Sequence, residues 1–221
     1  MKPVINLFRI SIHPEQREEF LGCLADLAQA SKELGEDLVS FYGFQSPEQG
    51  DLYLVLEIFS SNQAYLQFLN SDTYKDYKDQ VQAYIREQAY IRLEGLILLE
   101  KLSKELPQVG SGLRLSLFQA EQPDSQALDR LNRLTQEYLF TEGGPHAFYL
   151  SFDQQSPKDW YQIEIFSDQK EEDLLEGDKG FDHDQVTLRW DPQEILDFPL
   201  AMDVVETRGI ELMELDFIAK S

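Results

Sequence analysis

Two glutamates on predicted central strands are the residues of this chain best suited to acid–base chemistry. Glu57 lies in the run YLVLEIFS, and Glu164 lies in the matching run WYQIEIFS, 107 residues further along. Apolar neighbours predict that both carboxylates are buried, and a buried carboxylate needs a partner. Arg9 and Arg114, on the two matching first strands, are the natural candidates. The pattern is therefore interpreted either as a structural salt bridge in each half or as a proton-handling pair.

The usual signatures of catalysis and metal binding are missing from the sequence. It has no Gly-rich phosphate loop, no His-Glu-x-x-His, no Cys-x-x-Cys and no Gly-x-Ser-x-Gly. Its three histidines, His13, His146 and His183, are far apart. Three aspartates between residues 178 and 184 lack the ligand spacing of an EF-hand loop, which favours a solvated acidic loop. We therefore predict no metal site.

The composition excludes several classes of partner. Lys and Arg number 19 against 41 Asp and Glu, a net charge of −22. This argues against nucleic acid and anionic lipid, because both require clustered positive charge. Apolar residues make up 42% of the chain, enough for a sizeable core, and the single Cys23 fits a reducing compartment. With no signal-like N-terminus and no run of ~20 apolar residues, we expect a cytoplasmic protein.

Four segments of the first half recur in the second half in the same order, which favours an internal duplication. The matched pairs are 9–12 with 114–117, 41–44 with 148–151, 53–60 with 160–167, and 95–100 with 209–214. We therefore predict a first repeat over 1–102, a linker over 103–112 and a diverged second repeat over 113–221.

Each repeat is predicted to have the βαββαβ order of a ferredoxin-like unit. In the first repeat the expected elements are strands 4–12, 38–45, 52–59 and 94–101, a helix between Pro14 and Gly35, and helices 62–70 and 73–90. In the second they are strands 113–119, 146–153, 159–166 and 209–217, and a helix over 124–140, with Pro192 and Pro199 breaking the second helix.

A four-stranded sheet with helices on one face leaves its other face bare, and an apolar face of that size must be covered. Residues 53–59 are apolar on both faces, as in strands buried on both sides. We expect the second repeat to cover this apolar face. We therefore expect an α+β protein whose two repeats form an intramolecular α/β barrel, either as a monomeric pseudo-dimer or as a weak homo-oligomer.

The first repeat resembles the antibiotic biosynthesis monooxygenase domain, a dimeric α/β-barrel family. The resemblance lies in the segment FSSNQAYLQFLNSDTY, residues 59–74. The family pattern has an aromatic residue ending the third strand, then a helix containing Ala and an aromatic or His before Leu, then Ser and another aromatic. Its positions are filled here by Phe59, Ala64, Phe68, Leu69, Ser71 and Tyr74. Family members pair two chains through their sheets, and a tandem chain looks like such a dimer fused into one polypeptide.

The resemblance implies a monooxygenase that uses no metal or flavin. Such an enzyme binds a quinol-type aromatic substrate between sheet and helices, and the substrate anion itself reacts with oxygen. Phe68 and Tyr74 would then contact the substrate, Asn6 would donate to an oxyanion, Tyr77 would donate or relay a proton, and Arg86 would hold an anionic oxygen. The expected partner is a small hydrophobic or aromatic molecule, with no cofactor.

Two alternatives compete with this assignment. Phe68, Tyr74 and Tyr77 recur at helical spacing, which is also typical of a packed core, so a non-catalytic ligand-binding or stress-related protein remains open. The haem-degrading branch of the family requires an Asn, a Trp and an axial His. Phe68 stands at the Trp position and Lys78 where the His would fall, which argues against haem.

Overall fold

A computed structural model describes residues 2–31, 37–46, 49–101, 112–141 and 144–166, and the backbone of 194–199. The chain divides into two compact units: residues up to Leu93 belong to the first, and Glu94 to Asp197 belong to the second. The predicted repeat boundaries and the arrangement of the two repeats as a barrel stay predictions. Nearly all of the predicted linker, the acidic segment with its three aspartates, and the predicted strand 209–217 lie outside the described residues.

The first unit has the predicted ferredoxin-like α+β fold. Its elements are β1 (Val4–Ile12), α1 (Arg17–Ser31), β2 (Leu38–Gln45), β3 (Leu52–Phe59), α2 (Asn62–Asn70), α3 (Asp72–Val81) and β4 (Ile85–Glu100), with a short 3-10 turn at Pro14–Gln16. The strand order is β2-β3-β1-β4, and the β2–β3, β3–β1 and β1–β4 pairs are antiparallel. Residues of β4 from Glu94 onward belong to the second unit.

Alternation along the strands decides which side chains meet the helices. On β1, Val4, Ile10 and Ile12 pack into one core with Phe20 of α1 and Phe68 of α2. The same face of β3 is formed by residues 53, 55, 57 and 59, because the period of a strand is two. We call this side of the sheet the helix face. All eight residues of β3 are buried, so this strand is covered on both faces, as its composition predicts.

Two serines cap the ends of α2 and α3. Ser61 is the N-cap of α2, where its Oγ accepts from the backbone N–H of Ala64 at 3.1 Å. Ser71 ends α2 and begins α3: its Oγ accepts from the N–H of Tyr74 at 3.1 Å and donates to the carbonyl of Phe68 at 2.7 Å. These bonds satisfy backbone groups at the helix ends and set the direction in which Tyr74 leaves the turn.

We expect Ser71→Ala to lower the free energy of unfolding by about 1 kcal/mol, the usual cost of losing an N-cap. Hydrogen exchange in α3, together with urea unfolding of the whole chain, measures the loss. The matched control is Ser125→Ala, at the exposed first position of the second unit's helix. Equal stability of the two variants would contradict the capping role.

The predicted helix 73–90 is wrong over its last part. α3 ends at Val81, and the chain enters β4 at Ile85, where it pairs with β1 from Ile12↔Ile85 to Ile5↔Leu93. The local sequence has helical periodicity, but the free edge of β1 offers the backbone a ladder of hydrogen bonds. Tertiary pairing therefore overrides local propensity here. This extension brings residues 85–92 alongside β1, which the sequence analysis did not foresee.

The described part of the second unit repeats this plan. It contains β5 (Gly112–Gln119), α4 (Ser125–Leu139), β6 (Ala147–Asp153), β7 (Asp159–Phe166) and the part of β8 (Glu194–Pro199) up to Asp197. The order β6-β7-β5-β8 repeats β2-β3-β1-β4, with antiparallel β5–β7 and β6–β7 pairs. Asp124 caps α4 by accepting from the N–H of Ala127 at 2.8 Å, as predicted. β8 occupies part of the region where a broken helix was expected.

Candidate active site

Glu57 is a buried carboxylate on the helix face of the first unit. Only 4% of its surface is exposed. Asn6 lies directly opposite it on β1, and the Asn6 amide Nδ2 donates to Glu57 Oε2 at 3.4 Å. Burial raises the pKa of Glu57 to about 7, although the hydrogen bond from Asn6 acts in the opposite direction. A carboxyl group with this pKa gains and loses a proton near neutral pH, as a general base must.

Four tyrosines surround this carboxylate. Burial raises the pKa of Tyr65, Tyr74 and Tyr77, and the charge of Glu57 raises each of them further. Their hydroxyls therefore stay protonated at neutral pH and act as hydrogen-bond donors. The fourth, Tyr90, lies close enough to Tyr65 to raise its pKa as well. Such donors suit the stabilisation of an oxyanion that forms beside the base.

Tyr90 determines how the amide of Asn6 is oriented. The Tyr90 hydroxyl donates to Asn6 Oδ1 at 3.1 Å, which leaves Nδ2 of Asn6 to donate to Glu57. Tyr90 is 43% exposed and its ring lies 5.1 Å from that of Phe8. The three residues thus form a hydrogen-bonded chain from the buried carboxylate to the surface. The sequence analysis missed Tyr90 because it assigned this residue to a helix.

The aromatic residues of the motif pack against one another. The ring of Phe68 lies 5.1 Å from Phe59 and 5.0 Å from Tyr74, and Tyr74 lies 6.4 Å from Tyr77. Phe68 is only 2% exposed, whereas Tyr74 and Tyr77 are half-buried. Phe68 is therefore a core residue. Tyr74 and Tyr77 are the more accessible members of this row of contacting rings. Lys78, at the position of the haem ligand, is exposed in the last turn of α3.

Two predicted arginines lie away from this cluster. Arg9 is opposite Leu54, three residues from Asn6, so the period of two puts it on the other face of the sheet from Glu57. The predicted Arg9–Glu57 salt bridge therefore does not form. Arg86 is exposed, and its Nη1 lies 2.8 Å from Asp51 Oδ2. By register Arg86 stands beyond Ser11 and is roughly 17 Å along β1 from Asn6.

In the second unit, register places the two residues of the predicted Arg/Glu pair opposite each other. Arg114 is directly opposite Glu164, whose carboxylate accepts from the Tyr138 hydroxyl at 2.7 Å and from Gln162 Nε2 at 3.1 Å. By register, Arg114 therefore corresponds to Asn6 and not to Arg9. The first strands match at an offset of 108 residues rather than 105, and that shift of three moves a side chain to the other face.

One cavity of about 580 Å³ is present in the first unit, and it is open to solvent. It runs along α2 and is lined by Asn62, Gln63, Leu66, Gln67, Asn70 and Ser71. This lining does not include the Glu57 cluster, which is closed by the packed rings. Asn62, which lines this cavity, accepts through Oδ1 from Nη2 of Arg92 at 2.8 Å.

Two further findings bear on the class of site. Within the described ranges, no group of three or more His, Cys, Asp or Glu side chains is arranged to hold a metal ion. No helix in the part of the chain that the structure describes is long and apolar enough to cross a membrane.

Similarity to known proteins was assessed for both sequence and structure. Residues 3–80 match the antibiotic biosynthesis monooxygenase family. No curated protein is similar enough to this chain to count as a match. The matched residues contain β1, β3, α2 and nearly all of α3, and therefore Asn6, Glu57 and most of the surrounding tyrosines.

Two solved structures resemble the chain over nearly its whole length, and both bear the name "putative monooxygenase". The protein from Lactobacillus acidophilus NCFM has a TM-score of 0.77 at 15% identity and covers 95% of this chain and 99% of its own. The protein from Fusobacterium nucleatum subsp. nucleatum ATCC 25586 has a TM-score of 0.73 at 12% identity, covering 94% and 95%. At these identities the likeness shows a common fold.

Proposed function

We propose that the first unit oxidises a small quinol-type aromatic compound with molecular oxygen, using no metal or organic cofactor. The observation that carries this proposal is the buried Glu57, whose pKa is raised to about 7 beside Asn6 and the tyrosines. The monooxygenase domain over residues 3–80 supports the class of reaction.

The protein's part in this reaction is proton transfer and stabilisation of charge. Glu57 takes the proton of the aromatic hydroxyl, and its pKa near the working pH suits both the uptake and the later release of that proton. Tyr74 and Tyr77, which stay protonated, donate to the phenolate oxygen. Tyr90 and Asn6 orient the base, since the Tyr90 hydroxyl donates to the Asn6 amide and that amide donates to Glu57. A dry site strengthens each of these interactions.

The oxidation itself needs no other reductant. The quinol anion transfers electrons to O2, one oxygen atom bonds to a ring carbon, and the other leaves as water with the ring hydrogen and a hydroxyl proton. The products are a hydroxyquinone and water, so the substrate supplies all four electrons that O2 accepts.

Oxygen uptake by the purified full chain tests the proposal. With a panel of quinols and naphthols, we expect one O2 consumed per product molecule, without added metal and with a chelator present. The expected product is a hydroxyquinone from each quinol and a quinone from each naphthol. The O-methyl ethers of the same compounds, which have no hydroxyl proton to lose, are expected to be inert. If no member of the panel is consumed above the uncatalysed rate, the proposed monooxygenase activity is wrong.

A non-catalytic ligand-binding protein is the second candidate, and one observation favours it. The rings of Phe59, Phe68 and Tyr74 pack against each other, while the open cavity lies along the outer side of α2. Binding of the same aromatic compounds with unchanged oxygen levels would support this candidate over the enzyme.

A further inference from the structure

The two arginines in the first-unit part of β4 differ in how their charge is compensated. Arg86 pairs with Asp51. Arg92 is held by two uncharged groups: Nη2 donates to Asn62 Oδ1 at 2.8 Å, and the guanidinium carbon lies 5.7 Å from the centre of the Tyr65 ring. Among the described residues, no carboxylate pairs with Arg92, although the chain as a whole is strongly acidic.

One donor of Arg92 is left without an acceptor. Its Nε–H is buried and has no hydrogen-bond partner. A buried donor of this kind costs free energy until something accepts from it. The Nε and Nη groups of arginine form a planar fork that fits the two oxygens of a carboxylate. An anionic group of a ligand would therefore accept from the unpaired Nε–H and also compensate the positive charge of Arg92.

Register places this arginine in one row with the candidate base. Asn6 pairs with Glu57 on one side and with Arg92 on the other, so the three residues lie side by side across β3, β1 and β4. The Cα atoms of Glu57 and Arg92 are therefore about 10 Å apart, from two antiparallel steps. A two-ring aromatic compound with its polar groups at opposite ends matches this separation.

We propose that the ligand of the first unit is a hydroxyaromatic acid, whose carboxylate binds Arg92 while its hydroxyl faces Glu57. The assignment of the hydroxyl end rests on the proposed function. The carboxylate end rests on Arg92 itself, through its uncompensated charge, its unpaired Nε–H and its fixed guanidinium. The half-buried rings of Tyr74 and Tyr77 and the exposed ring of Tyr90 are the groups that must move to admit the ligand.

Calorimetric titration without oxygen tests the carboxylate contact separately from turnover. The probes are 6-hydroxy-2-naphthoate and its methyl ester, which keeps the rings and the hydroxyl but has no negative charge. We expect the acid to bind the full chain at least tenfold more tightly than the ester, as a charge-assisted pair predicts. Arg92→Gln is expected to remove this preference, and Arg86→Gln, the matched control on the same strand, is expected to keep it.

The outcomes are distinct. Equal affinity for acid and ester, no binding of either, or a preference that survives in Arg92→Gln each overturns the assignment. The comparison of acid and ester in the wild-type protein decides the matter even where Arg92→Gln fails to fold. A tenfold preference for the acid, together with no oxygen uptake in air by any member of the quinol and naphthol panel, supports the Arg92 site and overturns the proposed oxidation.

Discussion

A Glu57→Gln variant is expected to oxidise its aromatic substrate at least 100-fold more slowly than the wild-type protein. Glutamine has the size of glutamate and can still accept the hydrogen bond from Asn6, but it cannot take up a proton. Removing a general base typically costs 10²–10⁴-fold in rate, and we use roughly the lower end of that range. The measurement is kcat from initial oxygen uptake at pH 8, with a quinol that the wild-type protein consumes.

Glu164→Gln is the matched control, because it makes the same change at the corresponding strand position of the second unit. Glu164 has Arg114 opposite it and accepts hydrogen bonds from Tyr138 and Gln162, as expected for a structural carboxylate. We expect this variant to lose stability but to keep its kcat within about twofold, since Glu164 is not part of the proposed proton transfer. A similar loss of kcat in both variants would show that the glutamates do not differ as the structure predicts.

The stability of the first unit is expected to fall by about 3 kcal/mol as the pH rises from 4.5 to 7. The pKa of Glu57 is about 7 in the folded protein, raised by burial from its ordinary value of 4.5. Between these two values the unfolded chain loses this proton while the folded chain keeps it, so ionisation drives the equilibrium toward unfolding. Each unit of pKa difference corresponds to about 1.4 kcal/mol, and the penalty is complete above pH 7.

Hydrogen exchange in β1 and β3 between pH 5 and 8 reports this free energy for the first unit apart from the second. Both tryptophans lie in the second half, so tryptophan fluorescence would follow the other unit. In Glu57→Gln this part of the pH dependence is expected to vanish, which makes the variant more stable than wild type at pH 8. The control is Glu18→Gln on the exposed side of α1. If Glu57→Gln destabilises the unit at pH 8, the carboxylate is a structural group and not a strained base.

These two expectations depend on the contrast between the glutamates, which the sequence analysis treated as equivalent. Burial of both was predictable, because apolar neighbours flank each carboxylate and strands of this composition are buried on both faces. Their partners were not predictable. A shift of three residues in aligning the first strands exchanged Asn6 for Arg9, and a shift by an odd number moves a side chain to the opposite face.

Strand pairing, which the sequence does not display, also explains which candidate residues were found. Phe68 and Tyr74 were recognised from a local motif, and both lie in the aromatic row beside Glu57. Tyr90 and Arg92 were missed and Arg86 was chosen instead, because periodicity along 73–90 favours a helix. Only pairing with β1 converts this stretch into a strand, and that pairing depends on residues more than 70 positions earlier in the chain.

The sequence by itself therefore determined the ferredoxin-like fold of the first unit, the monooxygenase resemblance and the presence of a buried carboxylate in each half. These features depend on local alternation, spacing and motif, which a single chain displays directly. Tertiary structure alone decided that Glu57 faces a neutral amide while Glu164 faces an arginine, and that Arg92 shares a row with Asn6. Strand register sets which side chains are neighbours across a sheet, and register is a property of paired strands that neither strand carries alone.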